Sequence, residues 1–253
     1  MTVRFEHIQK MFQSAEGEVQ ALEDISFQVD SGSFVSIVGP SGCGKSTLLN
    51  ILAGLETPTA GRVLLNGTAV VGTSDHIGYM PQKDQLFPWR TIWGNVTIGL
   101  EIRKKKNPAE LERIRELLRR YGLETFEKSL PSQLSGGMRQ RCALIRTLAT
   151  DPGLLLLDEP FSALDYQTRL SVSDDIHTII RCEGKTALLV THDISEAISM
   201  SDYVVVLSAR PGRVKGIHDL TELAGLTPMQ RRDHLLFHRY FNDIWKELDL
   251  GGT

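Results

Sequence analysis

Cysteine is scarce in this chain of 253 residues: Cys43, Cys142 and Cys182 are an odd number, and no two of them have C-x-x-C spacing. That excludes a disulfide framework and a cysteine-built zinc site, and it fits a reducing compartment. Long apolar runs are also missing, since no stretch approaches the ~18 residues that span a bilayer. The charged start, Met1-Thr-Val-Arg-Phe-Glu-His7, lacks the unbroken apolar core of a signal peptide. The expectation is a chain that another protein brings to any membrane at which it works. Charge of one sign is not in excess either: 28 Lys+Arg face 31 Asp+Glu, a formal net charge of -3. This argues against a chain-wide grip on nucleic acid or acidic lipid. With 41% apolar residues, 22 Gly and 10 Pro, the chain is neither collagen-like nor disordered.

What is present is a change of pattern along the chain. Short runs rich in Val, Ile and Phe read as strands: Val3 to Ile8, Ile25 to Val29, Phe34 to Val38, Arg62 to Leu65 and Ile77 to Met80. From about Thr91 to Thr150 the period becomes helical, with Leu111, Ile114, Leu117, Leu118 and Tyr121 on one stripe, Pro108 in its first turn and Gly122 at its end. Strands return at Leu154 to Leu157, Thr186 to Val190 and Tyr203 to Leu207, with helical patterns between the first two. Continuous apolar strands separated by helices imply a parallel sheet covered on both faces. A C-terminal helix carries Phe237, Phe241, Ile244, Trp245 and Leu248.

Gly39-Pro40-Ser41-Gly42-Cys43-Gly44-Lys45-Ser46 follows one strand and precedes a helical pattern at Thr47 to Leu52. This is the strand, loop, helix context that a G-x-x-x-x-G-K-[ST] phosphate-binding loop requires. Its glycines let backbone N–H groups turn inward around phosphates, and the helix N-terminus adds its positive dipole end. Lys45 would reach the β- and γ-phosphates and Ser46 a Mg²⁺ ion. Cys43, close to the same helix end, is expected to favour thiolate and to block nucleotide binding when alkylated. Asp158 and Glu159 stand at the end of a buried strand, where open parallel sheets place ligands. They read either as a helix-capping pair or as a Mg²⁺ carboxylate followed by the residue that polarises an attacking water, and the phosphate-binding loop favours the second. His192 closes another apolar strand, and Leu134-Ser135-Gly136-Gly137-Met138 opens a helix with a second small, glycine-bearing anion site.

From Val3 to Leu207 these residues resemble the ATP-binding-cassette family, the nucleotide-binding subunits of ABC transporters. Walker A is Gly39 to Thr47, Walker B is Leu154 to Asp158, the signature is Leu134 to Met138, the Q-loop residue is Gln82, the D-loop is Ser162 to Asp165 and the switch histidine is His192. Phe12 matches the aromatic residue that stacks on adenine. The resemblance implies an α/β fold: a P-loop NTPase core with a mostly parallel sheet, an N-terminal antiparallel β part and a helical insert at about 84–150. The ATPase domain would span 1–216 and a helical tail 217–253. It implies ATP and Mg²⁺ as cofactors, with Mg²⁺ held by Ser46, Gln82 and Asp158 and catalysis by Glu159, His192 and Gln82. Two cassettes, expected to be identical chains, would pair head to tail. Ser135, Gly136 and Gly137 of each would then complete the other's site, and Asp165 would lie at the contact.

Leu86-Phe87-Pro88-Trp89-Arg90-Thr91-Ile92-Trp93-Gly94-Asn95-Val96 and Leu207-Ser208-Ala209-Arg210-Pro211-Gly212-Arg213 are similar to the importer branch that takes up nitrate, sulfonates, taurine and related solutes. That branch implies a separate membrane permease docking at Gln82 to Trp89, an extracytoplasmic solute-binding protein, and a peripheral position on the cytoplasmic face of the membrane. Exporter cassettes share every catalytic motif. Soluble cassettes acting on ribosomes or DNA carry tandem domains or long insertions, for which this length has no room, and no nucleic-acid partner is expected. The run Arg103 to Lys106 reads as a solvated surface. His234 and His238, beside Asp233, read as surface histidines or as two weak metal ligands without a third.

Overall fold

Apolar runs with no polar alternate position must be covered on both faces, and that requirement shapes the centre of the molecule. The structure, a computed structural model, describes residues 1–14 and 17–249. Its strands are β1 (Val3–Ser14), β2 (Gly17–Val29), β3 (Phe34–Val38), β4 (Ala60–Leu65), β5 (Thr68–Ala69), β6 (Ile77–Met80), β7 (Leu154–Asp158), β8 (Thr186–Thr191), β9 (Tyr203–Leu207) and β10 (Val214–Asp219). Its α-helices are α1 (Lys45–Leu52), α2 (Ile92–Val96), α3 (Ile98–Ile102), α4 (Pro108–Arg120), α5 (Gly136–Leu148), α6 (Tyr166–Cys182), α7 (Ile194–Met200), α8 (Pro228–Arg232) and α9 (Leu235–Asp249).

Six strands form one sheet in the order β10-β9-β3-β8-β7-β6, parallel from β9 to β6, with β10 antiparallel at the edge. Alternate side chains serve opposite faces. Leu155 and Leu157 of β7 join the cluster built with α5 and α6, while Leu154 and Leu156 join the one that holds α1. The second sheet, β2-β1-β4-β5, is antiparallel. It adds Phe5, Ile8, Ile25 and Val63 to the α1 side, so α1 lies in a core lined by both sheets. The fold is the expected α/β arrangement, with the antiparallel part at the N-terminus.

The helical segment lies between β6 and β7. Asn107 caps α4 by accepting from Glu110 N, and Pro108 occupies the first turn. Ile114, Leu117 and Leu118 turn inward against α5, with Leu111 and Tyr121 partly buried beside them. At the other end of the chain, the division expected after Gly216 falls inside β10, which is hydrogen-bonded to β9. The segment that follows is packed on the core: Phe237 and Ile244 of α9 meet Val204, Val206 and Ile198. Residues 250–253 of the expected tail lie outside the described residues.

Candidate functional site

Parallel strands bring their C-terminal ends to one edge of the sheet. Val38 of β3 is paired with Thr191 of β8, and Asp158 of β7 with Val190. The loop after Val38, the pair Asp158–Glu159 and His192 therefore meet without further adjustment.

The loop depends on glycine at two points. Gly42 and Gly44 have φ of 76° and 100°, in the left-handed region, which disfavours residues with a Cβ. A Cβ on Gly44 would also lie 2.6 Å from Leu22 Cδ2, because the loop is pressed onto β2. Lys45 bends back across the loop, its Nζ donating to the carbonyls of Gly39 (2.8 Å) and Pro40 (3.0 Å). The N-terminus of α1 faces the same space, so backbone donors, a dipole end and an ammonium converge there.

Asp158 sits beneath the loop. Ser46 Oγ donates to its Oδ1 and the Tyr79 hydroxyl to its Oδ2, both at 3.1 Å. Burial pushes the Asp158 carboxyl above the usual carboxylate range against the pull of those two hydrogen bonds. The Tyr79 hydroxyl is raised too, first by burial and then by the neighbouring Asp158 charge. Ser46, Asp158 and the amide oxygen of Gln82 offer only oxygen ligands, which suits a hard cation such as Mg²⁺. Such an ion takes one or two carboxylates and substrate phosphates rather than an all-protein cage. Among the described residues, no group of three or more His, Cys, Asp or Glu is placed to hold a metal ion. His234 Nδ1 accepts from Leu236 N at 3.3 Å.

Glu159 occupies a left-handed backbone conformation, φ 45°, of the kind that strains a residue with a side chain. His192 Nδ1 lies 3.1 Å from its Oε2, and Gln82 Nε2 donates to the same oxygen at 3.4 Å. Gln82 also donates to Ser162 Oγ (3.2 Å), whose hydroxyl donates to the Glu159 carbonyl (3.0 Å). A cleft of about 770 Å³ opens between this carboxylate and the phosphate-binding loop, with Lys45, Glu159 and His192 in its wall. Phe12 lines the same cleft from β1, with the Lys10 ammonium 4.8 Å from its ring centroid.

The other expected residues stand elsewhere. Ser135 caps α5 by accepting from Met138 N at 3.3 Å, and neither it nor Gly136 and Gly137 lines the cleft. Asp165 caps α6 through Thr168 N at 3.0 Å, and that donor holds its carboxyl below the usual range. The Cys43 thiol contradicts the expected thiolate: it is fully buried in the α1 core, and burial raises its pKa despite the nearby Lys45 charge. What Cys43 can offer a ligand is its backbone. Pro40 and Cys43 are absent from the cleft wall.

Beyond Gln82, the rings of Phe87 and Trp89 lie 5.3 Å apart and Trp89 is 74% exposed. Buried Asn95 pins this turn, accepting from Phe87 N and donating to the carbonyls of Phe87, Arg90 and Thr91. Four residues escaped the sequence reading as nucleotide-site residues. Val19 and Ala21 line the cleft from β2, Arg210 lines it with its Nε donating to the Gly42 carbonyl at 3.2 Å, and Tyr79, outside the cleft wall, supports Asp158. Arg210 lies in the segment Leu207 to Arg213, whose residues carried only a branch resemblance. No helix among the described residues is long and apolar enough to cross a membrane.

Residues 22–162 match the sequence profile of the family described as ABC transporter. The uncharacterized ABC transporter ATP-binding protein YtlC of Bacillus subtilis (strain 168) is 46% identical over 245 residues, 96% of this chain and 94% of that protein. The aliphatic sulfonates import ATP-binding protein SsuB of Bacillus cereus is 42% identical over 214 residues, covering 85% and 84%. The dimeric, post-hydrolysis structure of the ATP-binding cassette MJ0796 bound to ADP and Pi superposes with a TM-score of 0.73. It is 32% identical and covers 86% of this chain and 98% of that one.

Proposed function

Because the chain belongs to the ABC transporter family of ATP-binding proteins, we propose that it hydrolyses ATP to energise import of a small solute, a sulfonate, taurine or nitrate-like compound, through a separate membrane permease. The observation that carries this reading is the Glu159 carboxylate, held by His192 and Gln82 at the mouth of a lysine-bearing phosphate-binding loop. Transfer of a phosphoryl group to water needs little covalent help and much positioning. The loop amides and Lys45 bind the β- and γ-phosphates of the substrate. Phe12 offers its ring to the base. Glu159 accepts a proton from, and orients, a water in line with the γ-phosphate, while His192 and Gln82 fix the carboxylate and the phosphate side of that water. Ser46, Asp158 and Gln82 would hold Mg²⁺, which neutralises charge on the phosphates when bound.

Ser135 to Gly137 lie away from the cleft of their own chain, so they serve the cleft of a second copy, with Asp165 at the contact. SsuB is named for sulfonate import, and MJ0796 was captured as a dimer with ADP and Pi; both support the reading. The exposed pair Phe87 and Trp89 supports docking of an apolar helix of the permease; in this reading the chain lies on the cytoplasmic face, with a solute-binding protein on the other side. The cassette would extend through β10, with α8 and α9 as a packed tail.

The test is purification of the tagged chain from gently solubilised native membranes with ADP present. A polytopic membrane protein in near-equal amount is expected, and membrane vesicles containing both should take up the solute when supplied with ATP. Export from the same vesicles, or ribosomal partners without a membrane protein, would overturn the importer reading.

A further inference from the structure

Thr191, His192 and Asp193 form the turn between β8 and α7, and the two residues beside His192 are more firmly held than His192 itself. The Thr191 hydroxyl donates to Glu196 Oε2 at 2.7 Å and accepts from Asp193 N at 3.0 Å. Asp193 caps α7, its Oδ1 accepting from Ser195 N and Glu196 N. Asp193 and Glu196 in turn face a single cation. Arg169, on α6, has Nη1 3.5 Å from Asp193 Oδ2 and Nε 3.7 Å from Glu196 Oε1. The same guanidinium donates from Nη2 to the carbonyl of Leu164 at 3.1 Å. Leu164 lies in the Ser162 to Asp165 turn, whose Ser162 hydroxyl is bonded to Gln82 and to the Glu159 carbonyl.

We propose that Arg169 is a positioning residue for the hydrolytic site: it clamps the Ser162 to Asp165 turn to the His192 turn, so that a shift of one is transmitted to the other. The inference rests on the proposed roles of Glu159 and His192. Three features carry it. The guanidinium is planar and rigid, so its three contacts, to a carbonyl and two carboxylates, cannot adjust independently. The Glu196 side chain is only 5% exposed, so its charge needs that cation. Finally, Arg169 Nε is buried and has no hydrogen-bond partner among the described residues. An unmade bond of that kind is costly, and a small approach of Arg169 to Glu196 would form it. A movement of the Leu164 turn toward α7 would therefore tighten the clamp. Because Thr191 and Asp193 bracket His192, whose Nδ1 already lies 3.1 Å from Glu159 Oε2, holding those two residues keeps the imidazole on the carboxylate although neither His192 nor Glu159 touches Arg169.

The experiment compares steady-state hydrolysis of Mg-ATP by the full chain with thermal unfolding, in Arg169→Met, Arg169→Lys, Glu196→Gln and the double variant Arg169→Met/Glu196→Gln. Arg169→Met leaves a buried carboxylate unpaired and is expected to lose both stability and turnover. The double variant removes that charge, so its Tm should return toward wild type. Its kcat should stay down by about a hundredfold, the cost of a displaced catalytic group, while KM for ATP stays within about twofold because nucleotide binding is untouched. The Arg169→Lys variant, with one ammonium in place of the fork, should fold yet keep kcat low. Recovery of kcat together with Tm in the double variant would show a merely structural pair and overturn the clamp. So would a folded Arg169 variant with wild-type kcat. A wild-type chain that binds ATP but does not hydrolyse it fails differently: that overturns the ATPase reading itself, and the clamp with it.

Discussion

Replacing Glu159 by Gln separates chemistry from folding. The side chain is 22% exposed and makes two polar contacts, to His192 at 3.1 Å and to Gln82 at 3.4 Å. Gln keeps an acceptor oxygen for both neighbours and keeps the same left-handed backbone strain, since only glycine would relieve φ 45°. What disappears is the charge. For partly exposed pairs that is worth about 1 kcal/mol or less, a Tm change of about 2–4 °C or less in a chain of this size. A positioned general base contributes about 10²–10⁴ in rate, or about 3–5 kcal/mol of barrier at 1.36 kcal/mol per decade. The expected result is thus a chain that unfolds near the wild-type temperature, binds ATP normally and releases phosphate at least about a hundredfold more slowly. Phosphate release at saturating Mg-ATP, nucleotide binding and thermal unfolding measure the three quantities on one preparation. Turnover within threefold of wild type, on the order of 0.6 kcal/mol, would remove Glu159 from the reaction. A large drop in Tm with retained turnover would make it a structural carboxylate.

Thiol labelling of the folded chain should modify exposed Cys182 and spare buried Cys43 and Cys142; mass spectrometry of the labelled protein reads this, and rapid labelling of Cys43 would contradict the packed loop. His177 is buried and its pKa is pushed down to about 4 from 6.5, chiefly by burial and then by Arg181 and Arg231. Its neutral form contributes stability above pH 6.5 that is lost as pH falls toward 4, up to about 3 kcal/mol; His177→Gln should flatten the pH dependence of the urea midpoint across that window. At Gly54, φ is 72° and a Cβ would lie 1.8 Å from the Gly72 carbonyl oxygen, whereas Gly184, at φ 60°, has nothing within 4 Å. Gly54→Ala should therefore cost about 2–4 kcal/mol and Gly184→Ala only about 1–2 kcal/mol, a difference that urea denaturation resolves and equal losses would refute.

The central sheet was legible because its strands are buried on both faces. Phe34–Val38, Ile77–Met80 and Tyr203–Leu207 stand where the apolar runs predict them, and Leu154 and Thr186 begin strands that extend one residue further. β10 was not legible, since Val214–Asp219 is a half-buried edge strand containing Lys, Gly, His and Asp. β1 and β2 run longer than their apolar cores because Gln9 to Gln13 and Gly17 to Gln20 are half-buried or exposed and carry no alternating apolar pattern, with register shifts between Phe5 and Met11 and left-handed residues at His7 and Asp24. Of the site, the loop, Asp158, Glu159, His192 and Gln82 could be read because each follows a strand or carries a motif. Cys43 was misread because a helix N-terminus says nothing about which way a side chain points. Arg210 reaches the cleft, and Tyr79 the Asp158 carboxylate, only through tertiary packing, which no local pattern encodes.

The geometry also ties parts of the helical segment to one another. Arg139 and Arg146 of α5 both hold the segment that follows Gln82: Arg139 Nε donates to Asp84 Oδ2 at 3.0 Å, and Arg146 donates to the carbonyls of Asp84 and Gln85, both at 2.7 Å. Burial lowers the Arg146 pKa, so parting that loop from α5 would leave a desolvated cation without its acceptors, an arrangement that costs several kcal/mol. Asn95 adds three donated bonds that fix the following turn, Phe87 to Thr91. A rotation of α5 is therefore cheaper with the loop attached than without it. The helix capped by Ser135 and the turn that carries Phe87 and Trp89 are thus tied to one another, whereas Gln82, at the near end of the same segment, is held to Glu159 and Ser162 by longer bonds of 3.4 and 3.2 Å.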